Sequence, residues 1–167
     1  MKKKDAIIEE LALKVRGHYS DIAKPIDCID DVVMAMQGEI KRSASMYSLS
    51  DGTYTKYEDG SFEIEVPAAQ SAKLQNISIA RNLGYVFMND SREALTSNNV
   101  YRFALSFLMP PMLYQEVARS NTQNGMANVA EIAAFFHVPI ESAVERGKQL
   151  DLLERETFPR KQAELQR

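Results

Sequence analysis

In the stretch SIARNLGYVFMN, residues 78 to 89, three residues stand at the spacing from which a helix can build a reactive centre. Arg81 and Tyr85 are one helical turn apart and share a face, with Asn82 directly after the first. Two histidines at that spacing, with a glutamate after the first, bind zinc and activate its water. Here the ligand positions carry a guanidinium and a phenol, and the base position carries an amide, which takes no proton near neutral pH. The remaining candidate ligands, His18, His137 and Cys28, are far apart in sequence. His18 reads as a solvated loop residue, and His137, beside Phe135-Phe136, as a buried or turn-capping one. A single cysteine excludes an internal disulfide. Glu63 and Glu65 alternate with Phe62, Ile64 and Val66, the pattern of a solvated sheet face more than of a carboxylate site.

Hydrophobic period and turn residues predict the elements that position these groups. A first helix over 5–17 buries Ile8, Leu11, Ala12 and Val15, and a second, starting at Pro25, buries Ile26, Ile29, Val33 and Met36. From Ala44 to Val66 the period becomes extended. Asp51-Gly52 and Asp59-Gly60 separate three runs, which predicts a three-stranded antiparallel meander. A long helix over 71–88 then carries Arg81, Asn82 and Tyr85 on its polar side, with Ile79, Ala80, Leu83, Val86 and Phe87 on its buried stripe. Helices over 98–109 and 112–119 follow, separated by Pro110-Pro111. The polar segment SNTQNG, 120–125, is the one candidate module boundary. Beyond it, helices over 129–136 and 140–150 joined by His137-Val138-Pro139 form a pair like a helix-turn-helix. The tail RETFPRKQAELQR reads as charged and frayed.

The chain has 167 residues, 45% hydrophobic and 26% charged, enough for one buried core with a small helical module attached. A net charge of -3 provides no general attraction to polyanions, so any nucleic-acid contact has to be local. Arg146 and Lys148 are the candidates for contact with DNA or a partner, but Glu141, Glu145 and Asp151 surround them, which suits packing on a domain or partner better than approach to phosphates. Glu9, Glu10 and Lys14 interrupt the apolar run after the basic start, so it reads as an amphipathic helix and not a secretion signal. No segment approaches the roughly 18 apolar residues of a membrane span, and the expected location is cytoplasmic.

Taken in order, these pieces resemble the ImmA/IrrE-type metallopeptidases, zinc-dependent proteins of phages and integrative elements that cleave helix-turn-helix repressors. DGSFEIEVP is similar to the strand that enters that family's active-site helix. SIARNLGYVFM is similar to its Ile-Ala-His-Glu-Leu-Gly-His-x-Phe-Leu segment, keeping Ile79, Ala80, Leu83, Gly84 and Phe87. NVYRFALSFLMPPMLY matches its Glu-Ala-Asn-x-Phe-Ala-x-x-Leu-Leu-Met-Pro segment at Phe103, Ala104, Leu108, Met109 and Pro110. VAEIAAFFHVPIESAVERGKQLDLL resembles its closing helices. The resemblance, from about residue 40 to 155, implies an α+β fold: a small three-stranded antiparallel sheet packed against helices in a zincin-like core over 1–119. A helix-turn-helix-like pair over 126–158 would pack on that core as one domain. It also places the zinc ligands at Arg81, Tyr85 and Asn99 and the general base at Asn82, so all four roles are lost. The implied protein is a catalytically inactive, cofactor-free binder of a repressor or other regulator, antirepressor-like in action. The alternatives are a DNA-binding regulator using Arg146 and Lys148, and a protease with residual metal-dependent activity.

Overall fold

The computed structural model describes residues 3–88, 95–123 and 125–153. Helix α1 (Lys3–Tyr19) buries Ile8, Ala12 and Val15 as its apolar period requires. It runs through Gly17, so His18 is an exposed residue of its last turn, edge-on to Tyr19, and not part of a loop. The helix ends where the Arg16 guanidinium gathers carbonyls: Nη2 donates to Asp21 O and Lys24 O, and Nη1 to Phe107 O. Helix α2 (Ile29–Ala35) starts later than Pro25, because the backbone is still extended at Cys28. Ile26 nevertheless reaches the core ahead of it.

The sheet differs from the expected antiparallel meander. Its strands are β1 (Gly38–Ser43), β2 (Thr53–Lys56) and β3 (Phe62–Pro67), in the order β1-β3-β2. β1 runs parallel to β3, with Gly38 opposite Phe62, whereas β2 is antiparallel to β3. The sheet is therefore mixed. Met46, Tyr47 and Leu49 belong to no strand; Tyr47 and Leu49 are exposed in the segment 44–52 that crosses from β1 to β2 over the end of β3. Of the two Asp-Gly pairs it is Asp59-Gly60 that makes a hairpin, closed by the Tyr57 N–H on Ser61 O. Gly38 lets β1 lie close to its neighbour, since a Cβ there would be 2.5 Å from the Phe62 ring.

Helix α3 (Ala72–Met88) follows β3 and packs against helix α4 (Ser97–Leu108), whose start is capped by Thr96 accepting from the Asn99 N–H. Pro111 begins helix α5 (Pro111–Ser120), in the first turn where a missing N–H costs nothing. The polar segment after it contains a short ladder, β4 (Thr122–Gln123) with β5 (Met126–Ala127). Helices α6 (Val129–Phe135) and α7 (Ile140–Gln149) complete the described chain. The fold is thus α+β, with seven helices among the described residues. Ile132, Ala133, Phe136, Val138 and Ala143 of the last pair belong to the same buried cluster as Ile8, Ile64, Leu83 and Phe103. No helix among the described residues is long and apolar enough to cross a membrane. The tail, and the last residues of the 126–158 segment, lie outside the described residues.

Candidate functional site

The polar side of α3 faces the 44–52 segment, β2 and the start of α4. Asn82, 3% exposed, donates from Nδ2 to Asp51 O and to Ser78 O, both at 2.8 Å. One bond closes within α3 and the other fastens the crossing segment to it. Gln70 holds the same segment from below, with Nε2 on Ser48 O (3.1 Å) and Ser50 O (2.8 Å). Gly52 makes the close approach possible. Its φ is +82°, and a Cβ would stand 2.6 Å from Glu65 O and 3.1 Å from Asn82 Nδ2.

Arg81 reaches across to two elements. Its Nη1 donates to Asp51 Oδ1 at 2.9 Å and its Nη2 to Ser97 Oγ at 2.9 Å, with the guanidinium 5.6 Å from the centroid of the Tyr101 ring. Its Nε is buried and has no hydrogen-bond partner. Tyr101, below the cation, donates its hydroxyl to Ser142 Oγ at 3.3 Å, and burial pushes its pKa up. Tyr85 takes a different neighbour, stacking on Tyr54 of β2 with centroids 5.6 Å apart and planes 5° from parallel. Arg81 and Tyr85 therefore project from one face but engage different elements. Asn99 lies half-buried in the first turn of α4, between the two positions that Arg81 contacts there.

Zinc does not fit this set. A guanidinium has no lone pair to offer a cation, and the amide and phenols are poor ligands beside it. Among the described residues no three His, Cys, Asp or Glu side chains gather where they could hold a metal ion. What the arrangement can do is donate hydrogen bonds and stack: one cation with an unused N–H, two hydroxyls and a pair of phenol rings.

Arg146 is not where a DNA or partner contact would be. It is completely buried, with Nε on Met109 O at 3.0 Å, Nη2 on Glu9 Oε1 at 3.0 Å and Nη1 on Glu9 Oε2 at 3.3 Å. A small patterned helix with i, i+3 and i+4 burial hides this position, and the expected surface role is corrected to an internal one. Lys148, two residues on, is half-buried. His137 is exposed at a positive φ of 54°; its N–H donates to Ala134 O at 3.2 Å and its carbonyl accepts from Asn76 Nδ2 at 2.9 Å.

Gln70, Ser97, Tyr101 and Tyr54 complete the site without having stood out in the sequence, and Asp51 stood out only as a turn residue. Asp51-Gly52 has the composition of a hairpin turn, which conceals its use as a lid on α3. No protein-family model matches the chain, and neither a curated protein nor a solved structure matches it.

Proposed function

We propose that this chain is a catalytically inactive protein of the ImmA/IrrE metallopeptidase type that binds a transcriptional regulator of a phage or mobile element. The partner in this reading is a helix-turn-helix repressor, held by the surface where α3, α4 and the 44–52 segment meet. The observation that carries it is the employment of the three α3 positions. Arg81 and Asn82 fasten the 44–52 segment, and Tyr85 stacks on β2, so the positions that the family motif reserves for zinc chemistry serve a polar and aromatic surface. Such a surface supplies directional hydrogen bonds and ring contacts for a polypeptide and no nucleophile or base for cleaving one.

Binding to DNA through α7 is the weaker reading. With Arg146 paired inside the protein, Glu141 and Glu145 outweigh Lys148 on that helix. The test is co-expression with a helix-turn-helix regulator from a neighbouring gene, followed by affinity capture and metal analysis. The expected result is a complex containing the regulator at full length, without stoichiometric zinc. Absence of a complex, or a cleaved regulator with one zinc per chain, overturns the proposal.

A further inference from the structure

We infer that Arg81 is a receptor for a carboxylate supplied by the bound partner, and that Asp51 occupies its place in the free protein. The inference deepens the binding role proposed above and rests on it, because it names the chemistry that the partner brings. Three features qualify Arg81, and the third separates it from Arg16, whose Nε is likewise unpartnered and whose guanidinium also lies over a ring, that of Phe107, but which bonds only to backbone carbonyls. Its side chain is held in place from below and beside, by the Tyr101 ring and Ser97 Oγ, so the fork is oriented before anything binds. Its Nε has no partner, so the guanidinium is not saturated. Its one anionic partner among the described residues, Asp51, bonds through a single oxygen, and the aspartate side chain is 63% exposed while that of Arg81 is 17% exposed.

The contrast with Arg42 is instructive. There Asp30 spans Nη1 and Nη2 with both oxygens, at 2.8 and 2.9 Å, the arrangement that fits a guanidinium best. Asp51 is prevented from doing the same by its own backbone, whose carbonyl is tied to Asn82 and whose neighbour Gly52 is wedged against Glu65 O. A carboxylate that arrives free of this turn can present both oxygens. The Asp51 side chain can swing into solvent to admit it while its backbone stays pinned, because what it gives up is one exposed ion pair. The Tyr85 ring, on the next turn of α3, and the Tyr54 ring of β2 stacked on it offer an aromatic surface to the residues that flank the acid.

The test uses three hexapeptides of otherwise equal sequence: one with an internal glutamate and an amidated end, one with glutamine and a free C-terminal carboxylate, and one with glutamine and an amidated end. Binding is followed by NMR at the Arg81 Nε–H and at the Ser97 and Tyr101 amides, at constant ionic strength. The acidic peptides shift these signals saturably and the neutral one does not, and the stronger of the two identifies side chain or chain end as the source. Asp51→Asn strengthens binding about fivefold, the equivalent of ~1 kcal/mol of lost competition. Arg81→Lys, which keeps the charge but loses the fork, weakens it at least about tenfold. Equal shifts from the neutral peptide, or affinity indifferent to both substitutions, overturn the inference. Because these peptides need no regulator, a failed capture of the regulator sinks the proposed function without deciding this site, and the reverse holds too.

Discussion

At the scale of single residues, the buried ion pair between Glu9 and Arg146 is the most consequential contact outside the site. Burial alone pushes the arginine's pKa down, and Glu9 with its two oxygens offsets that shift. Removing one partner strands the other charge in the interior, which costs about 3–5 kcal/mol. Glu9→Leu and Arg146→Met are each expected to lower unfolding stability by that order in chemical denaturation. The double variant Glu9→Leu with Arg146→Met should recover most of the loss, because a well-packed apolar pair no longer has charge to desolvate. If the double variant is as unstable as the sum of the singles, the pair is not coupled as its geometry requires. Neither residue announces this from the sequence. Glu9 sits on a helix with other acids, and Arg146 beside Lys148 has the look of a solvated basic end.

At the scale of elements, the 44–52 segment is the piece on which the site depends, and Gly52 is its weak point. Alanine there combines a left-handed backbone with a Cβ 2.6 Å from Glu65 O, which the main chain of β3 cannot yield to. Gly52→Ala is expected to cost about 1–3 kcal/mol. It should also loosen Asp51 from Arg81 and Asn82, read as faster amide exchange across 50–53 with α1 and α4 unaffected. A uniform change across the protein would show that the segment is not a local lid. The same segment marks where sequence reasoning ends. The helices were legible because their apolar stripes are continuous: every residue assigned to the inner side of α4, Phe103, Phe107 and Leu108, is buried. β1 was not legible, because Ile40 is the single apolar residue within Glu39-Ile40-Lys41-Arg42 and it is only half-buried. An edge strand paired on one side needs little hydrophobic alternation to form, so its pattern is faint. The cofacial placement of Arg81 and Tyr85 could be read from their spacing, but Asp51, Ser97 and Tyr54 reach them from three other segments, and only tertiary packing brings those together.

At the scale of the whole molecule, the last two helices are joined to the rest by specific polar ties as well as by the shared core. Tyr114 of α5 stacks on Phe136 at 6.0 Å and donates its hydroxyl to Ala143 O at 2.6 Å. Burial pushes this phenol from the ordinary 10 up to about 12. The folded chain therefore keeps a proton that the unfolded chain gives up. The stability this provides is complete below pH 10 and is lost as the pH rises from 10 toward 12. Arg16, pushed down to about 10 by burial, titrates in the same window with the opposite sign, so comparison with a variant is needed to isolate the phenol. Tyr114→Phe is expected to be less stable by about 1 kcal/mol at neutral pH, from the lost hydrogen bond. Its decline between pH 10 and 12 should be the shallower of the two. Parallel profiles by circular dichroism would show that the phenol is not the titrating group.

The two ends of the Glu9–Arg146 pair are 137 positions apart along the chain. This separation makes the first helix one of the last to be finished. Until α7 has left the ribosome, Glu9 has no counter-ion, and the site that would bury it is better left wet. Helix α1 can dock on α4 through its apolar stripe earlier, yet its acid has to wait until Arg146, 137 positions on, has been made. A closure of such long range raises contact order and slows the final step of folding. A chain broken off before α7 lacks this pair and the apolar contacts of that helix, and is expected to be less stable and more readily proteolysed.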